Sequence, residues 1–280
     1  MRTQAERDAR RLRIRARRDV STALIGAYRS AYRGHGLTFE ELRDYQAGED
    51  ASRIEWNATA RLGYPVAVQM REERDLLLAL LVDVSASLDF GYGGATRLTA
   101  VRRAASALAV AGVRANDRVA LVTFAAGVVE SLPPATGAAQ LERIFRALER
   151  GPVPGPTNAT AALAWAADTL PRHSVVVLIS DLLFPDPGAA LAACARKHDL
   201  ALLRVSDPAD ALPARMAPVR VNPAEEGRAS VWRRRARTRT KPLDSSLLRR
   251  RGADCGLLQT GEALIPTLHE FLERRAGGRP

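Results

Sequence analysis

The segment from Leu76 to Ser87 reads Leu-Leu-Leu-Ala-Leu-Leu-Val-Asp-Val-Ser-Ala-Ser, an apolar run that ends in an Asp-x-Ser-x-Ser array. An uninterrupted run of this length predicts a strand that is buried on both faces, as in a parallel sheet covered by helices. In open α/β sheets, ligands bind beyond the carboxyl ends of the strands. Asp83, Ser85 and Ser87 are therefore candidate site residues, although they could also cap the next helix or shape a turn.

Two later loops carry side chains of the same type at the ends of predicted elements. Thr157 precedes an alanine-rich helical stretch, and Asp181 ends a second apolar strand that begins at Val175. Because the carboxyl ends of parallel strands lie on one edge of a sheet, we expect the three loops to converge. Their hydroxyl and carboxylate oxygens suit Mg²⁺, or Mn²⁺, with water completing the coordination shell.

The rest of the chain alternates between strand and helix patterns. Predicted helices cover about 96–114, 138–148, 159–169, 187–197 and 264–274, and predicted strands cover 118–124, 128–132, 175–181 and 200–205. This alternation is typical of an α/β fold with a mostly parallel sheet and helices on both faces. We expect a basic N-terminal helix and extended segment over 1–75, the sheet domain over 76–206, and a small C-terminal annex over 207–280.

The ordered set of Asp83, Ser85, Ser87, Thr157 and Asp181 resembles the metal-ion-dependent adhesion site of a von Willebrand factor A domain. The resemblance implies that the two serines and the threonine contact the metal directly. It also implies that the two aspartates act as outer or orienting ligands, and that an acidic residue of a partner protein takes the open coordination position. The sheet domain is then expected to be von Willebrand factor A-like.

A second resemblance concerns the residues upstream of the sheet domain. Residues 36–50, 53–57 and 59–61 are similar to the signature of the bacterial family catalogued as domain of unknown function 58, with Glu49 and Glu55 where aspartates are expected. This resemblance implies an association with a MoxR-type AAA+ ATPase. The chain has no Gly-x-x-x-x-Gly-Lys-Ser/Thr motif, so we do not expect it to be the ATPase itself.

The aromatic and arginine residues of this upstream stretch permit two interpretations. Trp56 and Tyr45 could pack with Arg43, Arg53, Arg61 and nearby carboxylates into a polar network that fixes an extended segment. Alternatively, Arg53, Trp56 and Arg61 could form a partner surface, because tryptophan and arginine dominate the energetics of many interfaces.

The net charge of +11 is concentrated in two segments. Residues 1–18 carry +6 and residues 232–251 carry +8, so the rest of the chain is slightly acidic. The first segment continues into a helical pattern with an apolar residue at every fourth position, which could dock on the chain's own domain. No RNA-binding signature accompanies either run, so a solvated face or an acidic protein partner is favoured over nucleic acid or anionic lipid.

Composition limits the classes of protein to which the chain could belong. The sequence contains no run of about 18 apolar residues, the length that a membrane-spanning helix needs, and its arginine-rich start lacks the apolar core of a signal peptide. We therefore expect a cytoplasmic protein. Cys194 and Cys255 are too few for a disulfide framework. The four histidines are scattered and do not have the spacing of metal ligands, so the sequence shows no recognisable set of hydrolase catalytic residues.

The leading hypothesis is thus a non-enzymatic, metal-dependent protein-interaction module. By resemblance, it would work with a MoxR-type AAA+ ATPase in assembling or activating a protein complex. One alternative is a Mg²⁺-dependent phosphoryl-transfer enzyme with Asp83 as nucleophile. This alternative is less favoured, because such a site would need a second aspartate at the position of Ser85. Another is a protein that binds nucleic acid or an anionic surface through its arginine segments.

Overall fold

The computed structural model describes residues 20–32, 37–46, 48–72, 76–89, 91, 95–211, 220–221, 230–231 and 242–277. The basic segment 1–18 and most of the basic run from residue 232 lie outside the described residues. In chain order the helices and strands are α1 (Thr22–Tyr32), β1 (Leu37–Asp44), α2 (Trp56–Leu62), β2 (Val66–Glu72), β3 (Leu77–Asp83), α3 (Arg97–Arg114), β4 (Arg118–Phe124), β5 (Val128–Ala135), α4 (Gly137–Leu148), α5 (Thr160–Thr169), β6 (Val175–Ser180), α6 (Gly188–Lys197), β7 (Asp199–Ser206), β8 (Arg220–Val221), β9 (Ser230–Val231), α7 (Ser245–Arg250), β10 (Ala253–Gln259) and α8 (Leu264–Gly277).

A six-stranded sheet with the order β10-β7-β6-β3-β4-β5 forms the centre of the described chain. Its strands pair in parallel, except that β5 runs antiparallel to β4 at one edge. Within this sheet, β3 is the first strand in the sequence and lies in the middle. The next strands, β4 and β5, extend the sheet to one edge, and β6, β7 and β10 extend it to the other. The predicted α/β fold with a mostly parallel sheet is confirmed.

Strand β3 is buried along its whole length, as its apolar run predicted. Leu78, Leu80 and Val82 face a core that includes side chains of α1, α3, α4 and α8. Leu77, Ala79 and Leu81 face a second core with side chains of α5, α6 and α7. Helices therefore cover both faces of the sheet, and a central strand without polar alternation is what such a layered fold requires.

Helix α1 docks on its own domain through a buried stripe that includes Leu24, Tyr28 and Tyr32. Arg275 of α8 lies beneath this helix, with its guanidinium carbon 5.4 Å from the centre of the Tyr32 ring. The same buried guanidinium is ion-paired with Asp199 at 2.5 Å and with a second carboxylate, on β10, at 2.7 Å. These contacts tie the N-terminal helix to the amino-terminal end of strand β7.

Strands β1 and β2 form a separate antiparallel ribbon that pairs Leu37 with Glu72 at one end and Asp44 with Val66 at the other. A 3-10 helix over 51–53 and the short helix α2 connect the two strands. Glu55 caps α2 by accepting a hydrogen bond of 3.1 Å from the Asn57 amide.

Strand β10 and helix α7 were not predicted from the sequence. Gly256 sits in the middle of β10 because the ring of Phe271 packs against its backbone, and a Cβ atom there would lie 2.4 Å from Phe271 Cδ2. A glycine beside Asp254 and Cys255 weakens the local strand pattern, and parallel pairing with β7 stabilises the strand instead. The segment boundaries at 75 and 206 stay predictions.

The helices within the described ranges all fall short of the combined length and hydropathy that crossing a membrane would need.

Candidate metal centre

The candidate site lies where the winding direction of the sheet reverses. Strands β3 and β6 are neighbours, but the chain leaves β3 towards one edge of the sheet and leaves β6 towards the other. Their helical connections lie on opposite faces, which is the topology at which open α/β sheets bind ligands beyond the carboxyl ends of the strands. Asp83 ends β3 and Asp181 directly follows β6, so both predicted aspartates lie at this reversal point.

The three predicted hydroxyl residues meet at this edge. Thr157 Oγ1 lies 2.8 Å from Ser85 Oγ, Ser85 Oγ lies 2.9 Å from Ser87 Oγ, and Ser87 Oγ lies 3.4 Å from Thr157 Oγ1. Ser85 is fully buried, whereas Ser87 and Thr157 are partly exposed. The structure therefore brings together residues 70 positions apart in a hydroxyl triangle formed by Ser85, Ser87 and Thr157.

Backbone hydrogen bonds hold the two loops of the hydroxyl triangle together. Val153 donates to the carbonyl of Val84 at 2.9 Å, and its own carbonyl accepts from Ala86 at 2.8 Å. The Asn158 amide donates to the Ala125 carbonyl at 2.7 Å, which fixes the chain just after Thr157. The proline- and glycine-rich segment thus runs beside the Asp-x-Ser-x-Ser loop and delivers Thr157 to it.

Asp83 is fully buried, and each of its carboxylate oxygens accepts a hydrogen bond. Oδ1 accepts from the Ser85 amide at 2.9 Å, and Oδ2 accepts from the Ser180 hydroxyl at 2.6 Å. Burial raises the pKa of Asp83 to about 6, an effect that these hydrogen bonds partly offset and the nearby Asp181 carboxylate increases. Burial therefore disfavours the ionised form of Asp83 more than its hydrogen bonds favour it.

Asp181 is also buried, and burial raises its pKa. The Leu183 amide donates to Asp181 Oδ1 at 3.0 Å and acts in the opposite direction, as do the charges of Arg97 and Arg204. Leu182, which lies between Asp181 and Leu183, adopts a left-handed backbone conformation with φ of 56°. This sharp turn directs the chain away from the sheet immediately after Asp181.

Sequence reasoning missed Ser180 and the ion pair between Arg97 and Asp210. Ser180 bonds to Asp83, and the Arg97 guanidinium, at the start of α3, pairs with the Asp210 carboxylate. Ser180 directly precedes the predicted Asp181, but only the adjacency of β3 and β6 identifies the acceptor of its hydroxyl. No spacing signal links Arg97 to Asp210, which lie 113 positions apart.

These residues fit a hard divalent cation. Two buried carboxylates lie at the same edge of the sheet as the three hydroxyl oxygens, and a buried carboxylate is costly unless a cation or hydrogen bonds compensate it. No cluster of three or more His, Cys, Asp or Glu side chains suited to a metal occurs in the part of the chain that the structure describes. Metal binding at this edge would therefore depend on the hydroxyl triangle.

The upstream stretch combines features of both interpretations. Arg43 pairs with Glu49 at 2.6 Å, and the Tyr45 hydroxyl donates to the Glu49 carbonyl at 2.8 Å, so a small polar network exists. Trp56 does not pack into it, because 66% of its surface is exposed, and Arg61 on the same helix is exposed as well. The side chain of Arg53 lies outside the description. The proposed partner surface stays a prediction.

Comparison with known proteins gives a family match. The model of a family described as "Protein of unknown function DUF58" matches residues 41–247. The uncharacterized protein Rv1480 of Mycobacterium tuberculosis is 30% identical over 223 residues, which covers 78% of this chain and 70% of that protein. The uncharacterized protein Mb1516 of Mycobacterium bovis matches with the same identity and coverage.

Two solved structures share the fold. An aerotolerance-related membrane protein from Bacteroides fragilis aligns with a TM-score of 0.50 at 16% identity, covering 73% of this chain and 100% of the other. The conserved hypothetical protein BatB from Bacteroides thetaiotaomicron aligns with a TM-score of 0.50 at 18% identity, covering 72% and 99%. At these identities the similarity concerns the fold alone.

Proposed function

The chain belongs to the DUF58 family of proteins of unknown function, and we propose from the geometry of its candidate site that it is a non-enzymatic, metal-dependent protein-interaction module. The observation that carries the proposal is the hydroxyl triangle of Ser85, Ser87 and Thr157 at the sheet edge that also carries the buried carboxylates of Asp83 and Asp181. The strand order and the position of these residues at the reversal point support a von Willebrand factor A-like assignment of the sheet domain.

In this proposal, Ser85, Ser87 and Thr157 would hold Mg²⁺ or Mn²⁺, and Asp83 and Asp181 would orient the hydroxyls or act through water. When bound, the cation would supply a positive charge that three neutral hydroxyls leave largely unneutralised, and thus a coordination position attractive to an aspartate or glutamate of a partner protein. Ser87 and Thr157 are the partly exposed members of the triangle, so the site would be approached from their side.

The environment of Asp83 argues against the phosphoryl-transfer alternative. A carboxylate nucleophile needs an accessible oxygen in line with the phosphorus atom. Asp83 is fully buried, and its two oxygens accept hydrogen bonds from the Ser85 amide and the Ser180 hydroxyl. These contacts suit a carboxylate that orients its neighbours.

The proposed partner follows from the family resemblance. A MoxR-type AAA+ ATPase, or a complex on which such an ATPase acts, would present the acidic residue to the metal. The exposed Trp56 and Arg61 of helix α2 would add a second contact region.

The test uses the purified full-length chain as bait for a MoxR-type ATPase, in Mg²⁺ and in EDTA. Wild type is compared with Thr157→Val, which removes one hydroxyl of the triangle, and with Thr267→Val. Thr267 is a suitable control because it is also partly buried, and its hydroxyl donates to the Ala263 carbonyl at the start of helix α8, away from the hydroxyl triangle. We expect capture to be lost in EDTA and in Thr157→Val but not in Thr267→Val. Equal capture in all four conditions would contradict metal dependence.

A further inference from the structure

We propose that Ser180 is the positioning residue of the candidate metal centre, and that its hydroxyl holds the Asp83 carboxylate in the orientation that metal binding requires. This inference rests on the proposed function. The carrying observation is the 2.6 Å hydrogen bond from Ser180 Oγ to Asp83 Oδ2, between two fully buried side chains 97 positions apart.

Strand register places Ser180 beside Asp83. Strands β3 and β6 run in parallel, with Val82 opposite Ile179 as their last paired residues. Asp83 and Ser180 are the next residues of the two strands, so their side chains leave the same face of the sheet at its carboxyl end. Asp181, one residue further on, alternates away from this pairing, and its carboxylate accepts a hydrogen bond from the Leu183 amide.

The Ser180 hydroxyl is itself fixed by a second hydrogen bond. The Leu182 amide donates to Ser180 Oγ at 3.1 Å, so the hydroxyl oxygen accepts from the turn while its proton is donated to Asp83. The left-handed conformation of Leu182 belongs to this turn. Ser180 therefore links the loop that carries Asp181 to the carboxylate that ends β3.

Asp83 in turn positions the hydroxyl triangle. Its Oδ1 accepts from the Ser85 amide at 2.9 Å, which fixes the backbone from which the Ser85 hydroxyl projects. With the Ser85 amide on Oδ1 and the Ser180 hydroxyl on Oδ2, both carboxylate oxygens accept a hydrogen bond from the protein. Loss of the Ser180 hydroxyl would leave Oδ2 and the Leu182 amide without these bonds in a buried environment.

The predicted consequence is a weaker metal site. Outer residues that orient metal ligands change metal affinity by about 10- to 100-fold when they are mutated. We expect Ser180→Ala to weaken Mn²⁺ binding by at least about tenfold, and Ser180→Thr, which keeps a hydroxyl, to recover most of that loss.

The matched control is Ser174→Ala. Ser174 is a buried serine just before the other end of β6, and its hydroxyl donates to the Pro171 carbonyl at 2.6 Å, far along the strand from the site. Mn²⁺ affinity would be measured on full-length protein by isothermal titration calorimetry and by electron paramagnetic resonance of free Mn²⁺. Far-UV circular dichroism and thermal unfolding would verify the fold of each variant. Ser180→Cys, whose thiol is a weak donor of similar size, replaces the alanine variant if that variant unfolds.

The outcomes separate this inference from the proposed function. Weaker binding in Ser180→Ala, recovery in Ser180→Thr and wild-type affinity in Ser174→Ala would support the positioning role. Wild-type affinity in Ser180→Ala would overturn that role while leaving the metal site intact. Absence of Mn²⁺ binding by the wild-type chain would overturn the proposed function, and the inference with it.

Discussion

The raised pKa of Asp83 gives the metal-free protein a distinctive dependence of stability on pH. The pKa of Asp83 rises from an ordinary value of 3.8 to about 6, chiefly because burial disfavours the charged carboxylate. A folded-state pKa above the unfolded value means that the folded state binds the proton more tightly. The contribution of protonated Asp83 to the stability of the folded state is therefore complete below about pH 3.8 and is lost as the pH rises through about 6.

The magnitude follows from the same two values. At about 1.4 kcal/mol per pKa unit, the change from 3.8 to about 6 corresponds to about 3 kcal/mol of unfolding free energy lost between pH 4 and pH 7 in the absence of metal. The Asp83→Asn variant has no titrating carboxyl at this position. Its stability relative to wild type should thus improve by about that amount over the interval, whatever constant difference the amide itself introduces.

The assay is urea unfolding in EDTA at several pH values, with the free energy of unfolding compared between wild type and Asp83→Asn. The control is Asp186→Asn, because the Arg251 guanidinium at 2.6 Å lowers the pKa of Asp186. For that variant the sign is reversed: it should lose stability relative to wild type as the pH rises towards the ordinary pKa of 3.8, and the difference should then stay constant at higher pH. A constant difference between wild type and Asp83→Asn across the pH range would refute the reasoning.

Three further substitutions test the packing and the surface. Gly256→Ala should lower the free energy of unfolding by about 1–3 kcal/mol in denaturant titration, since its Cβ would meet the Phe271 ring at 2.4 Å; unchanged stability would show that the ring can move freely. Arg275→Met should cost about 3–5 kcal/mol by removing the buried guanidinium that pairs with Asp199, and should increase hydrogen exchange in α1; protection equal to wild type would contradict the docking of α1 on α8. Trp56→Ala should change the free energy of unfolding by no more than about 0.5 kcal/mol, because the ring is mostly exposed, and should reduce partner capture. A large loss of stability would show that the ring has a packing role instead.

The elements that could be predicted from the sequence are those whose pattern is local. The apolar runs of β3 and β6 and the helix α3 were found at nearly their observed bounds, since continuous burial and helical periodicity are written in neighbouring residues. Strand β10 could not be predicted this way. Its central Gly256 disfavours a strand locally, and the reason for the glycine is the packing of Phe271, which belongs to the next helix.

The candidate site shows the same division. Convergence of the Asp83 loop with Thr157 follows from the rule that parallel strands end on one edge, and the structure brings these residues together. The roles of Ser180 and Arg97 depend on strand order and on contacts across more than 90 positions. Such contacts are set by tertiary packing, and a single sequence carries no local signal for them.

The central claim is that the hydroxyl triangle and its carboxylates bind a divalent cation. The most direct measurement is a calorimetric titration of Mn²⁺ into the full-length wild-type chain, Thr157→Val and the matched control Thr267→Val at pH 7.5. We predict saturable binding at one site in wild type and in Thr267→Val, and binding weakened by about tenfold or more in Thr157→Val. No saturable binding to wild type, or equal affinity in all three proteins, would contradict a metal site at this edge of the sheet.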